Sequence, residues 1–327
     1  MKAQVLVTRA VFPEVIEKLQ THFALDYHAA DEPLPPAALA ARLAGKQGAI
    51  TMLIDRIDSA VLAGATSLKA VANVAVGYNN FDLPAMTRAG VMATNTPEVL
   101  DDTTADLAWA LILTCGRRIL GADQWLRAGQ WQGWKFHDTW SGTDVHHATL
   151  GILGMGRIGR AVARRAAGFS MRVIYHNRHR LPEEQAAGAA WVEKETLLRE
   201  ADFLVLLVPY SPATHHLIGA AEITAMKPSA YLINVARGGI VDDEALIAAL
   251  QQRQIAGAGL DVFENEPALD RRFCALDNVV LTPHVGSSTR ATRLAMAMLA
   301  ADNLIAALSG QRPPNLLNPE VFKESAS

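Results

Sequence analysis

Cysteine is almost missing. Cys115 and Cys274 are the only two in 327 residues, and they stand far apart. No C-x-x-C motif and no disulfide framework can be drawn from them, which excludes a small disulfide-stapled scaffold and suits a reducing cytoplasm. An excess of one charge is missing too. The chain has 30 Lys and Arg against 33 Asp and Glu, a net of −3, with no basic run to serve as a nucleic-acid footprint. No charged-then-apolar leader opens the chain, because Val5-Leu-Val7 runs directly into Thr8-Arg9. No unbroken apolar run reaches the roughly 18 residues of a membrane span. The expectation is a cytoplasmic protein with no nucleic-acid and no membrane partner. Apolar residues, by contrast, are plentiful. They make up 50% of a chain too long for one ordinary core, so about two domains are expected.

The stretch Thr149-Leu-Gly-Ile-Leu-Gly-Met-Gly-Arg-Ile-Gly-Arg160 is the most informative. Leu150 to Leu153 reads as a strand buried on both faces. Gly154, Gly156 and Gly159 follow in G-x-G-x-x-G spacing and open an apolar-periodic helix, Ile158 to Ala167. A second strand, Met171 to His176, comes next. In this context each glycine has a reason: Gly154 permits the tight turn, Gly156 lets a pyrophosphate approach the backbone, and Gly159 lets helix and strand pack closely. The N–H groups at the helix start then face the phosphates. The expectation is a dinucleotide site.

Before that stretch, short apolar runs alternate with helical patterns. Gln4–Thr8, Phe23–His28, Gly48–Leu53, Leu68–Val74 and Val91–Thr94 read as strands, and Pro13–His22 and Pro36–Ala44 as helices. Such alternation predicts a parallel sheet covered on both faces. The turn Val74-Ala-Val-Gly-Tyr-Asn-Asn-Phe-Asp82 lies at the carboxyl end of a strand, where open α/β sheets bind ligands. The alternative reading is an ordinary Gly-Asn turn. Thr103 to Arg127 is apolar-periodic and free of proline, so it predicts one long helix with Asp101 and Asp102 available as caps. The segment after it, Gly129 to Trp140, carries Trp131, Trp134 and Trp140, which fit either local packing or a subunit interface.

Beyond the fingerprint, strands are expected at Phe203–Val208, Ala230–Val235, Gly257–Leu260 and Val279–Thr282. Helices are expected at Lys194–Glu200, Ala221–Met226, Asp242–Gln252 and Ser287–Ser309, the last capped by Ser287 or Ser288. The fold class is α/β, with two doubly wound parallel-sheet domains and a cleft between them that would hold the active site. Residues 1–101 and 287–327 would form a flavodoxin-like substrate domain, and residues 102–286 a Rossmann cofactor domain inserted into it. The last helix returns to the first domain in this reading, because that domain is otherwise short of helices to cover its sheet.

Three late segments place chemistry at strand ends. Asn234-Val-Ala-Arg-Gly-Gly-Ile-Val-Asp242 presents Arg237. Gly259-Leu-Asp-Val-Phe-Glu-Asn-Glu-Pro267 presents Asp261, Glu264 and Glu266. Leu281-Thr-Pro-His-Val-Gly286 presents His284. Taken singly, Arg237 reads as a surface cation and His284 as a turn histidine. Taken together after a dinucleotide fingerprint, they read as a catalytic group. Arginine is permanently cationic and planar, so it can polarise a ketone and grip a carboxylate at two points. Histidine titrates near neutrality and can protonate a developing alkoxide. A carboxylate beside it stabilises the imidazolium. Glu266 is preferred over Glu264 because Pro267 restricts its backbone to an extended form.

On these motifs, with Val76-Gly-Tyr78 added, nearly the whole chain resembles the D-isomer-specific 2-hydroxyacid dehydrogenases. Gly142-Thr-Asp-Val-His-His147 places the resemblance nearest the bacterial glyoxylate/hydroxypyruvate reductases, also called 2-ketogluconate reductases. The resemblance implies that Arg237 binds the carboxylate and ketone of a small 2-keto acid, that His284 donates the proton, and that Glu266 partners it. It implies substrate contacts at Leu53, Val76 and Gly77, and at Trp134 reaching in from the second subunit of a homodimer. For the cofactor it implies contacts at Thr104, Gly154, Met155, Gly156, Arg157, Ile158, Gly159, Asn177, Arg178, Val208, Pro209, Thr214, Val235, Ala236, Arg237, Asp261, His284 and Gly286.

The second strand of the fingerprint unit ends in Asn177-Arg-His-Arg180 and has no acid there to take a ribose 2′-hydroxyl. Two arginines favour a 2′-phosphate, hence NADPH with NADH as the weaker alternative; the other reading is a solvated basic turn. No metal is expected, since His146-His147 and His215-His216 are adjacent residues that would project to opposite sides of a strand. Two rival functions stay open. One is an NAD-dependent D-lactate or phosphoglycerate type dehydrogenase, which Asn177-Arg178 opposes. The other is a nucleotide-sensing regulatory binding protein, which an intact Arg, Glu and His set opposes.

Overall fold

The computed structural model describes residues 1–137 and 139–322. It divides into two compact units, Met1–Leu100 with Thr289–Ser327, and Asp101–Ser288. The first hundred residues alternate strand and helix: β1 (Gln4–Val7), α1 (Pro13–His22), β2 (Ala24–Tyr27), α2 (Pro36–Leu43), β3 (Gly48–Thr51), α3 (Ser59–Gly64), β4 (Ala70–Asn73), α4 (Leu83–Arg88) and β5 (Met92–Thr94). Local chemistry sets several of these boundaries. Pro13 sits in the first turn of α1, where its missing N–H leaves no bond unmade. The Asp58 carboxylate caps α3 through the amides of Ala60 and Val61. The five strands are parallel in the order β2-β1-β3-β4-β5, the flavodoxin-like arrangement.

The second unit contains α5 (Asp101–Gly116), α6 (Ile119–Arg127), β6 (Thr149–Leu153), α7 (Arg157–Ala166), β7 (Arg172–His176), β8 (Ala190–Trp191), α8 (Lys194–Glu200), β9 (Phe203–Leu206), α9 (Ala220–Thr224), β10 (Tyr231–Asn234), α10 (Asp243–Gln251), β11 (Gly257–Leu260) and β12 (Val279–Leu281). Its seven parallel strands run β12-β11-β10-β9-β6-β7-β8. The order reverses between β6 and β9, which is where a doubly wound sheet opens its ligand crevice. Leu150, Ile152, Phe203, Val205 and Ile233 fill one face of this sheet, and Leu204, Leu206, Leu232, Ala258 and Leu260 the other, all with almost no exposed surface. Helices on both faces explain why these strands read as unbroken apolar runs.

The chain then re-enters the first unit through α11 (Arg290–Leu308). By length and composition this helix is apolar enough to cross a membrane, although the sequence shows no unbroken run of that length. Its alanines account for this. Ala297, Ala300, Ala301, Leu304 and Ala307 are buried with Val5, Ile50 and Ala70 of the first sheet, so α11 serves as a core helix.

Three expectations need correction. The single helix over Thr103–Arg127 is two helices, broken at Arg118, which has left-handed backbone (φ 51°). No proline marks the break because the cause is tertiary. The Gly116 carbonyl accepts from the Thr143 N–H at 2.7 Å, and a Cβ on Gly142 would stand 2.4 Å from that same oxygen. The cap of α11 is Thr289, whose side chain accepts from the Thr292 N–H, and not Ser287 or Ser288. The edge strand β8, two residues long, was not expected at all. The expected strands also overran. Val208, Val235 and Thr282 lie in loops past the carboxyl ends of β9, β10 and β12.

Candidate active site

β10, β11 and β12 are adjacent in the sheet, and their carboxyl ends bring Arg237, Glu266 and His284 into one group. The Asn234 side chain folds the first of these ends. Its Oδ1 accepts from the Ala236 N–H at 3.1 Å, and its amide donates to the Arg237 carbonyl at 3.0 Å. Arg237 is half-buried and its Nη1 donates to the Ala236 carbonyl at 2.6 Å. Burial lowers the guanidinium's pKa and the Glu266 charge opposes this, with a net lowering; an arginine stays cationic regardless.

Glu266 uses both oxygens. Oε1 accepts from the Phe263 N–H at 2.9 Å, and Oε2 lies 2.7 Å from His284 Nδ1. Burial raises the Glu266 carboxyl. The His284 hydrogen bond and charge, the Phe263 amide and the Arg237 charge outweigh it and hold the carboxyl below its ordinary range. Glu266 is therefore ionised at neutral pH, which sets Nδ1–H as the donor and leaves Nε2 of His284 for another partner. Glu264 faces elsewhere, forming a hydrogen bond with His216 Nε2.

His284 has left-handed backbone (φ 53°), a conformation uncommon for residues other than glycine. Asp261 holds it. Its carbonyl accepts from the His284 N–H at 2.9 Å. Its Oδ1 accepts from the Thr282 hydroxyl and the Val285 N–H at 2.7 and 2.8 Å, and its Oδ2 from the Gly286 N–H at 2.9 Å. Asp261 is fully buried, and burial raises its carboxyl despite these bonds. Sequence reading gives Asp261 a cofactor contact; the structure adds that both its oxygens hold the His284 turn. A buried acid one residue past an apolar strand needs several donors, and only the fold reveals which ones.

The glycine-rich turn shows three separate geometries. Gly154 has φ +104°, and a Cβ there would come within 2.7 Å of Leu207 and Val208 backbone atoms, across the point where the strand order reverses. A Cβ on Gly159 would meet the Gly154 carbonyl oxygen at 2.6 Å, so helix and strand touch through backbone. A Cβ on Gly156 would meet nothing within 4 Å. That open space at the start of α7, beside Met155, Arg157 and Ile158, fits a phosphate group. Asn177 makes a contact that the sequence did not suggest: its Oδ1 accepts from the Met155 N–H at 2.7 Å and ties the end of β7 to the glycine turn. Arg178 and Arg180 are exposed.

Other expected contacts line the same sheet edge. Val208 and Pro209 follow β9, and the Thr214 hydroxyl donates to the Pro209 carbonyl at 2.8 Å, closing that loop. Val235 and Ala236 are buried after β10. Thr104 is buried in α5, its Cγ2 standing 3.5 Å from where a Cβ of Gly286 would be.

In the first unit, Leu53 lies two residues past β3, and Val76 and Gly77 lie past β4. An asparagine network fixes this turn. Asn95 donates to the Val76 carbonyl at 2.8 Å, Asn73 donates to the Gly77 carbonyl at 3.1 Å and to Asn80 Oδ1 at 3.2 Å, and Asn80 donates to the carbonyls of Met52 and Asp55. Of these three residues only Asn80 belongs to the turn as read from the sequence; Asn73 and Asn95, at the end of β4 and just past β5, are not singled out there.

The Trp-rich segment divides. Trp140 packs on α6, where a Cβ on Gly121 would clash with its ring and Arg118 lies 5.1 Å from its centroid. Trp131, Trp134 and Phe136 are exposed; Asp138, within this segment, lies outside the described residues. The geometric reason given against a metal site fails. His215 and His216 are not in a strand, and their rings stack at 3.9 Å with Glu264 beside them. His146 and His147 also lie in a turn, with ring centroids 5.0 Å apart.

Comparison with known proteins agrees with this geometry. The NAD-binding domain of the D-isomer-specific 2-hydroxyacid dehydrogenases matches residues 109–286. A glyoxylate reductase of Thermococcus gammatolerans is 47% identical over 327 residues, covering 99% of this chain and 98% of its own. A glyoxylate reductase of Aeropyrum pernix is 45% identical over 329 residues, covering 98% of each. The crystal structure of an NADPH-dependent glyoxylate/hydroxypyruvate reductase from Sinorhizobium meliloti, in complex with NADP and malonate, superposes with a TM-score of 0.88 at 33% identity over 100% of both chains. Fold, motif geometry and these matches agree: the chain belongs to the D-isomer-specific 2-hydroxyacid dehydrogenase family.

Proposed function

We propose that this protein is an NADPH-dependent, homodimeric, cytoplasmic reductase of small 2-keto acids. Glyoxylate, hydroxypyruvate and 2-keto-D-gluconate are the leading substrates, reduced to D-2-hydroxy acids. The observation that carries this reading is the Arg237, Glu266 and His284 group, set in the same sheet edge as a glycine turn that leaves open space at Gly156.

When bound, a reduced nicotinamide supplies the hydride. Gly154, Gly156, Gly159, Met155 and the first turn of α7 would hold its pyrophosphate, and Arg178 a 2′-phosphate. Arg237 grips the carboxylate of the keto acid and polarises its ketone. His284, with Nδ1–H directed at Glu266, gives the proton on Nε2 to the substrate oxygen as negative charge develops there. Glu266 keeps the imidazolium favourable and the ring oriented. Asp261 holds the turn that aims it. The Val76–Gly77 turn takes the substrate carboxylate, and Leu53 and the partner subunit's Trp134 shape the pocket.

The test follows the ultraviolet absorbance of NADPH with the purified protein. Glyoxylate-dependent loss of that band, absent with His284→Ala, supports the reading. No turnover of any of the three keto acids with either NADPH or NADH overturns it.

A further inference from the structure

We propose that His215, His216 and Glu264 form a binding site for a divalent transition-metal ion of the zinc class, on the flank of the active-site group. The two histidines lie in the loop after β9 and Glu264 in the loop after β11. Left-handed backbone at His216 (φ 49°), fixed by its N–H donating to the Gly239 carbonyl at 2.7 Å, breaks the alternation that would send neighbouring side chains apart. The rings stack with centroids 3.9 Å apart, and one ligand atom from each of the three residues lies within 4.8 Å of the others. Among the described residues no other group of three His, Cys, Asp or Glu side chains meets this spacing.

The donor set suits the ion. Two imidazoles and one carboxylate are a common first coordination sphere for zinc, with ligand atoms roughly 3.4 Å apart around a tetrahedron. His216 Nε2 and Glu264 now share a proton in a hydrogen bond, and a metal would take that proton's place with small side-chain rotations. Outer partners are present as well. Asp242 Oδ2 is 3.9 Å from His216 Nδ1, the Tyr210 hydroxyl is 3.2 Å from His215 Nδ1, and the Glu264 N–H donates to Asp243 Oδ2 at 3.1 Å. No lysine or arginine pairs with Glu264 among the described residues. Gly239 keeps the space open: a Cβ there would lie 3.6 Å from His215 Nδ1 and 3.8 Å from Glu264 Oε1. Both histidines are exposed, so the ion retains a water and exchanges with solvent.

The experiment is isothermal titration of metal-free protein with Zn²⁺, on the wild type and on His215→Ala, His216→Ala and Glu264→Gln, each checked by thermal unfolding. The expected result is saturable binding of about one equivalent, weakened by roughly tenfold or more in each variant, with proton release on binding. Should His216→Ala or Glu264→Gln fail to fold, the exposed His215→Ala decides the matter. The absence of saturable binding in the wild type overturns the proposal, and so does wild-type affinity in His215→Ala.

Discussion

His284 has one nitrogen committed to Glu266 and one available, an arrangement that fits the proposed proton donor. His284→Ala should therefore lower kcat for ketone reduction by about 10²–10⁴, the usual worth of a positioned acid, while NADPH affinity hardly changes. Steady-state rates and a cofactor titration check this together; wild-type kcat in the variant would remove His284 from the chemistry. Arg237→Lys keeps the charge and loses the planar fork, so kcat/KM should fall by about 2–3 kcal/mol in transition-state stabilisation. Near-normal kcat/KM would make Arg237 structural.

The cofactor turn belongs to the residue scale as well. Because Asn177 Oδ1 is occupied by the Met155 N–H, discrimination for a 2′-phosphate falls to Arg178, which is exposed and partly screened. A preference for NADPH of about ten- to a hundredfold is expected, and Arg178→Ala should remove most of it by weakening NADPH alone. Comparing kcat/KM for the two cofactors measures this, and a wild-type protein that prefers NADH would contradict it. The residue types at this turn were legible in the sequence. The bond from Asn177 to Met155 was not, because it depends on how β7 ends beside the glycine turn.

At the scale of the element, the β6–α7 turn separates two roles that one motif compresses. Gly156 has ordinary backbone (φ −84°) and open space, whereas Gly159 is pressed on the Gly154 carbonyl. Gly156→Ala should leave the unfolding temperature nearly unchanged and still weaken NADPH, since the added methyl projects where a phosphate would lie. Gly159→Ala must move backbone, costing roughly 1–3 kcal/mol, or several degrees in Tm, and it should weaken NADPH as well. Scanning calorimetry alongside cofactor titration distinguishes the pair. Equal Tm losses in both variants would refute the division.

The same scale shows what sequence patterns miss. Most strands and helices were legible because buried parallel strands and amphipathic helices have different periods. The break at Arg118 was not, because it follows from one carbonyl diverted to Thr143, distant in the chain. Strand ends were overrun for a related reason: apolar residues such as Val208 and Val235 continue past the last ladder bond into the ligand edge. The proposed catalytic group of Arg237, Glu266 and His284 stood out only when the three were taken together, because charged groups at the ends of several apolar runs are conspicuous. Asp261 is read as a cofactor contact and Asn80 only as part of a turn, while Asn73 and Asn95 are not singled out, since the bonds that give them importance exist only after folding.

At the scale of the whole molecule, one exposed apolar surface stands out. α5 buries Ala105, Ala108, Trp109, Leu111 and Ile112 in the second unit's core, but α6 buries none of its residues. Ile119, Leu120 and Leu126 on α6, and Trp131, Trp134 and Phe136 just after it, are all exposed within eighteen consecutive positions, 119 to 136. Isolated apolar residues on a surface need no explanation, but so many large ones in one short segment do. Tryptophan and phenylalanine in such a patch are typical anchors of a protein interface. A second copy of the chain, related by a two-fold axis, would cover this patch with its own equivalent and close the assembly. The expected outcome is a dimer in sedimentation equilibrium at micromolar concentration. A double change of Leu120 and Leu126 to Asp should shift the mass to that of one chain and leave α5 and the core intact. If Trp134 of the partner subunit completes the pocket, Trp134→Ala should raise KM for the keto acid without changing the mass. A wild-type protein that sediments as an active monomer would show that this surface has another use.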